Sequence, residues 1–143
     1  MTTVGFTGTR RGMTLQQRST VLRLLVQIKP ALGVHGDCLG ADKDFDDICM
    51  ALKIPCRIRP CTIENMRAWC HSDDITAPKP PMQRNRDIVA DCSTLIACPP
   101  NTTPIKSHSG TWATVKFGLR AGVGVILVYP DGQTKMHPPR KEP

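Results

Sequence analysis

A chain of 143 residues with 40% hydrophobic and 22% charged side chains has the size and balance of one soluble globular domain. No apolar run approaches the roughly 20 residues that span a bilayer, and the opening "MTTVGFTGTRRG" lacks the basic start and long apolar stretch of a signal peptide, so a cytoplasmic location away from membranes is expected. The net charge of +7 suits anionic partners, although much of the excess lies in "TRR", "PMQRNR" and the tail "KMHPPRKEP".

In chain order, "TTVGFTG" reads as a short buried strand ending at Gly8. After the loop "TRRGM", the stretch "TLQQRSTVLRLLVQIK" places Leu15, Val21, Leu22, Leu24, Leu25 and Ile28 on a helical face, with Thr14 as its N-cap and Pro30 after its end. "LGVHG" is a second strand; the loop "DCLGAD" follows, then a helix over "KDFDDICMALKI" that stops before Pro55. "PCRIRP" is a third strand. From Cys61 to Pro81 the pattern weakens, and Pro78, Pro80 and Pro81 mark an irregular segment. "MQRNRDIVADC" is a short helix and "STLIACP" a fourth strand. The loop "NTTPIKSHS" leads into the helix "GTWATVKFGLRAG", closed by Gly122, and "VGVILVYP" is a fifth strand ending at "DGQ". Strands alternating with helices imply an α/β, Rossmann-like three-layer domain with a central, mainly parallel sheet of about five strands. It is expected to occupy residues 1–132, with 133–143 a disordered basic, Pro-rich tail. The seven cysteines, an odd number with no Cys-x-x-Cys pair, read as reduced and mostly buried thiols.

Ligands of open α/β sheets bind beyond the carboxyl ends of the strands. Three predicted strand ends run into small-residue loops that lead to helices. The first carries Gly8, Thr9, Arg10 and Arg11; the second Gly36, Asp37, Gly40, Ala41 and Asp42; the third Ser109, Gly110, Thr111 and Trp112. Glycines let backbone N–H groups approach an anion, and helix N-termini add free donors and partial positive charge, so the pattern predicts a phosphate-bearing ligand. Arg84, Asn85 and Arg86 of "QRNRD" join the candidate set.

Each assignment has a plainer counterpart. Arg10 and Arg11 can be solvated loop charges, and Arg84 or Arg86 a surface partner of Asp87 or Asp91. Asp37 and Asp42 can be helix caps, His35 a packed core histidine, His108 an exposed loop residue, and Trp112 either core or the cover of a bound base. No Ser-His-Asp spacing, zinc cluster or paired glutamate motif is apparent, and the only glutamates are Glu64 and Glu142. No catalytic residue, metal or cofactor is therefore assigned.

On "GFTGTRRGMT", "HGDCLGAD", "RNRDIV" and "SGTWATVKFG", the chain resembles the SLOG superfamily over about residues 3–132. That group joins the Smf/DprA DNA-processing proteins and the Lonely Guy phosphoribohydrolases. "NRDIVADCSTLIACP" followed by "SGTW" looks most like the DprA branch. Lonely Guy enzymes carry Gly-Gly-x-Gly-Thr-x-x-Glu, whose glutamate takes part in cleaving an N-glycosidic bond. Gly110 and Thr111 match its Gly-Thr, but Ser107 and His108 replace the paired glycines, and Thr114 stands at the glutamate position. The resemblance implies a pocket for a nucleotide-type small molecule, held without efficient turnover, and a homodimer or higher homo-oligomer. It also suggests a phage-type protein that sequesters a host defence signal. Two other functions compete: an N-glycosidic hydrolase of nucleoside monophosphates using Asp37 or Asp42, and single-stranded DNA binding of the DprA kind. Nucleic acid is the weaker alternative, because three Phe, two Trp and one Tyr supply few stacking platforms.

Overall fold

The computed structural model describes residues 2–104 and 110–140. Seven strands and four helices alternate along them: β1 (Thr3–Gly8), α1 (Leu15–Ile28), β2 (Leu32–His35), α2 (Ala41–Ala51), β3 (Cys56–Ile58), β4 (Asp74–Ile75), α3 (Pro81–Asp91), β5 (Thr94–Cys98), α4 (Gly110–Ala121), β6 (Gly124–Val128) and β7 (Thr134–His137). They form one sheet in the order β4-β3-β2-β1-β5-β6-β7. Every pairing is parallel except that of β6 with β7.

The period of two along each strand sorts the core into two halves. Val4 and Phe6 of β1, Ile96 and Cys98 of β5, and Val128 of β6 point to the face that packs Val21, Leu24 and Leu25 of α1 and Phe45 of α2. The intervening Leu95, Ala97, Val125 and Leu127 point to the other face, against Ile88 and Val89 of α3 and Val115 of α4. Phe6 stacks on Phe45 with ring centroids 4.5 Å apart. Both strand faces are covered, so these strands read as continuous apolar runs instead of alternating ones.

The helix α1 starts where its sequence predicts. Thr14 Oγ1 accepts from Gln17 N and Gln17 Oε1 accepts from Thr14 N, both at 3.0 Å, a reciprocal pair that satisfies two end donors. Lys29, at φ 51°, closes the helix before Pro30.

Two strands lie outside the predicted five. β4 falls in the irregular 61–81 segment, and two residues carry no readable alternation; Arg57 Nε donating to Asp74 Oδ2 at 2.9 Å and Thr76 N donating to Ile58 O hold it. β7 corrects the expectation of a disordered tail from residue 133. The turn at Asp131-Gly132 sends the chain back along β6, with Gly132 N donating to Tyr129 O at 2.8 Å. Its residues are mostly exposed and polar, so hydropathy gave no sign of it; the backbone ladder holds it. Arg140 N donates to Gly122 O, tying down the chain beyond it. All seven cysteines are free thiols, and six are buried.

Candidate functional site

From β1 the chain builds outward to β4 on one side, then crosses to β5 and builds to β7 on the other. The strand order reverses between β1 and β5, and a crevice is expected beyond their carboxyl ends. A cavity of about 620 Å³ opens there. Its walls come from the end of β1, the two following loops, the first turns of α3 and α4, and Met66 from the irregular segment.

Backbone bonds assemble the base of the site. Thr9 N donates to Cys98 O at 3.1 Å, and Thr9 O accepts from Ala41 N at 3.0 Å, so the β1 loop is tied to both β5 and α2. A Cβ on Gly8 would stand 2.5 Å from that of Ala41, and one on Gly40, at φ 96°, would overlap the Arg10 backbone. Gly40 and Ala41 thus bring the loops together and do not line the cavity, whereas Gly8, Thr9, Arg10 and Arg11 do.

The two aspartates of the second loop separate. Asp37, fully buried and at φ 59°, accepts from Arg67 Nε at 2.9 Å and Cys70 N at 2.8 Å, pinning the 66–70 segment. It neither caps a helix nor lines the cavity, which corrects both sequence readings of it. His35 is the packed histidine of the plainer reading: Nδ1 accepts from Asp37 N at 2.9 Å and Nε2 lies 2.8 Å from Asp46 Oδ1. Asp42 does line the cavity. Its Oδ2 accepts from Gly36 N and Cys38 N, each at 3.1 Å, while no donor among the described residues reaches Oδ1. Burial pushes the pKa of this carboxyl up, against the opposing pull of nearby cationic charge and the two N–H groups.

Arg84 and Arg86, adjacent in sequence to Asn85, face different ways. Arg84 is 5% exposed and lies in the cavity wall. Its Nε donates to Asn85 Oδ1 at 2.8 Å, and Nη1 donates to Gly36 O at 2.6 Å and Arg59 O at 3.3 Å. Nη2 donates weakly to Cys38 Sγ at 3.4 Å, so one of the five guanidinium N–H groups has no partner among the described residues. Gly36 serves this clamp, because a Cβ there would overlap the guanidinium. Arg86 instead lays its guanidinium 4.7 Å from the Phe117 ring, outside the cavity. Neither pairs with Asp87 or Asp91, which take Lys79, Arg57 and Arg59.

With its Oδ1 engaged by Arg84, Asn85 turns its amide nitrogen to the cavity, where no acceptor among the described residues meets it. That nitrogen is 3.9 Å from where a Gly110 Cβ would stand, the nearest contact there among the described residues beyond its own helix and chain neighbours. Gly110 and Thr111 open α4 in the same wall, and Thr111, 4% exposed, has a hydroxyl without a partner among the described residues. Thr7, 9% exposed, contributes another such hydroxyl. Ser109, Ser107 and His108 lie outside the described residues. Trp112 donates from Nε1 to Asn101 Oδ1 at 2.8 Å and packs on the second core half, which places it away from the cavity. Thr114, fully buried, donates its hydroxyl to Gly110 O at 2.8 Å.

Three cationic side chains, Arg10, Arg11 and Arg84, therefore share one cavity, and among the described residues none makes an ion pair with a carboxylate. Sequence reasoning missed Thr7, Cys38 and the apolar wall of Met66, Pro81, Met82 and Ile88. The helical phase of α3 carried part of that signal. Pro81, Arg84, Asn85 and Ile88 recur at three- and four-residue steps, and Arg86 falls off that face.

The chain matches no family model, and no curated protein matches it by sequence. Solved structures do match its fold. The molybdenum cofactor binding protein of Rippkaea orientalis superposes with a TM-score of 0.70 over 90% of this chain and 76% of its own, at 15% identity. A structural-genomics target designated TM1055 gives 0.67 over 90% and 74%, at 13% identity. DNA processing protein A (DprA) from Streptococcus pneumoniae gives 0.65 over 89% of this chain, which spans half of that longer protein, at 16% identity. The architecture is thus the Rossmann-like fold shared with DprA, one of the groups whose motifs the sequence resembles.

Proposed function

We propose that the cavity binds a phosphate-bearing, nucleotide-type small molecule and holds it without efficient turnover. One observation carries this reading: Arg10, Arg11 and the buried Arg84 converge on a cavity where none of them has a carboxylate partner among the described residues. Among the described lining residues Asp42 is the one acidic side chain against three arginines, so the cavity keeps a net positive charge that suits an anion. The Asn85 amide, the Thr7 and Thr111 hydroxyls and the N-terminus of α4 add neutral donors for the same anion. The apolar wall of Met66, Pro81, Met82 and Ile88 suits the flat body of a base. By name, one fold neighbour binds a cofactor and another processes DNA. A cavity of about 620 Å³ is the size of small-molecule sites, which favours the first kind of ligand.

Holding in place of turnover is supported by Thr114. At the position of the Lonely Guy glutamate stands a neutral hydroxyl engaged with Gly110 O, which offers no charge to an oxocarbenium-like centre. Sequestration of a host signal by a viral protein is the physiological form of this reading, motivated by the resemblance. A second copy would cover Leu15, Leu22 and Val26, which are exposed along one face of α1. Native mass spectrometry of freshly purified protein is the test. The reading expects a co-purifying, phosphorus-containing ligand released intact by heat; a ligand-free protein that also takes up no nucleotide would refute it.

A second reading, N-glycosidic hydrolysis, draws on Asp42, the carboxylate that lines the cavity. Multiple-turnover release of free base from a nucleoside monophosphate, abolished by Asp42→Asn, would establish that reading.

A further inference from the structure

Among the described residues Asp42 is the acidic side chain of the cavity wall. It is 6% exposed, and the bonds from Gly36 N and Cys38 N to Oδ2 fix how it points. Oδ1 is left in the cavity with no donor among the described residues. No buried side-chain oxygen among the described residues lacks a partner, so Oδ1 keeps contact with the open space of the cavity and offers an acceptor there to a ligand O–H or N–H. A fully ionised phosphate brings no donor to that oxygen, whereas a hydroxyl or an N–H does. The cavity wall therefore carries polar groups with two opposite demands. Asn85, Gly110 and Thr111 accept an anion, and Asp42 accepts an O–H or N–H. Arg84 joins them, bonded to Asn85 Oδ1 and to the Gly36 carbonyl of the loop that Asp42 holds. In a 5′-nucleotide the donors nearest the phosphate are the ribose hydroxyls, with base N–H groups farther out. We infer that Asp42 Oδ1 accepts a ribose hydroxyl, which makes the cavity selective for ribonucleotides over their deoxy counterparts. This inference rests on the nucleotide reading of the same cavity.

Asp42→Asn isolates the effect. Its amide oxygen still accepts from Gly36 N and Cys38 N, while an N–H₂ donor replaces the free acceptor Oδ1. Calorimetric titration would compare AMP, GMP and UMP with their 2′-deoxy and 2′,3′-dideoxy analogues, and pyrophosphate, on both proteins. A site built to bond a hydroxyl rejects the analogue lacking it. The wild-type protein should bind at least one ribonucleotide about tenfold or more tighter than its dideoxy analogue. In Asp42→Asn that ratio should fall to within about twofold, with pyrophosphate bound no more weakly. Equal wild-type affinities would overturn the inference without recourse to any variant, as would a ratio that survives in a folded Asp42→Asn protein. Pyrophosphate binding without nucleotide binding removes the ribose assignment and leaves the anion assignment standing. If nothing binds, the nucleotide reading falls and the inference falls with it.

Discussion

Two groups of buried polar side chains lie at the carboxyl edge of the sheet, and they differ in what faces them. Around His35 and Asp37 each functional atom has a protein partner: both ring nitrogens of His35 and both carboxylate oxygens of Asp37 are engaged. Across the loop, Asp42 Oδ1, the Asn85 amide nitrogen and the Thr7 and Thr111 hydroxyls meet none among the described residues. The first group closes on itself and is architecture; the second keeps hydrogen-bonding capacity open to the cavity, where a ligand can meet it. A histidine and an aspartate are not a site because of their chemistry. What marks a site is the bonds its groups leave unmade.

Substitutions on each side sharpen that contrast. The largest effect is expected from Asp37→Ala, which strips the partner from Arg67, 11% exposed, and leaves Cys70 N without an acceptor. Urea unfolding should show about 3 kcal/mol lost, with pyrophosphate affinity unchanged in the molecules that stay folded, because that ligand makes no use of the Met66 wall. Arg84→Ala lies on the boundary between the two groups. Losing its bonds to Gly36 O and Arg59 O should cost about 2 kcal/mol of stability, and binding should weaken more than tenfold as well. A variant that binds poorly with unaltered melting would show that the clamp contributes nothing to the fold. Gly110→Asp sits on the ligand side, because among the described residues beyond its own helix nothing comes nearer to its Cβ position than the Asn85 amide at 3.9 Å. Calorimetry should report at least a tenfold loss of affinity, about 1.4 kcal/mol, with the unfolding midpoint nearly fixed. Arg86→Ala, which removes a cation from the Phe117 ring, should cost about 0.5 kcal/mol and leave binding untouched.

The fold was legible wherever long apolar runs and caps marked it. The four helices and the five buried strands follow from the spacing of residues such as Leu24, Leu25, Ile96 and Leu127, and from the Thr14 cap. β4 and β7 escaped because two-residue and solvent-exposed strands are held by backbone bonds and carry no hydropathy signal. Within the candidate site, the loops could be placed on one sheet edge from sequence, but which side chain turns inward could not. Arg84 and Arg86 look equivalent in "RNRD", and only the helical phase of α3 against the sheet separates them. Asp37 and Asp42 both follow a strand in a glycine-rich loop. The positive φ of Asp37 turns its carboxylate toward Arg67, whereas Asp42 in the first turn of α2 keeps one oxygen in the cavity. Met66 enters from the irregular segment through long-range contacts that Asp37 arranges, and local pattern holds no record of that.

The central claim is that the unpartnered donors of the cavity receive a phosphate. Its most direct test is a titration of the isotopically labelled protein with pyrophosphate and with AMP, followed by nuclear magnetic resonance. The account predicts saturable shifts of the Asn85 side-chain amide, the Gly110 and Thr111 backbone amides and the Arg84 guanidinium. The Arg67 guanidinium and the His35 ring, already engaged within the protein, should stay in place. Saturable shifts centred on Arg67 and His35, or none at Asn85 and Gly110, would contradict it.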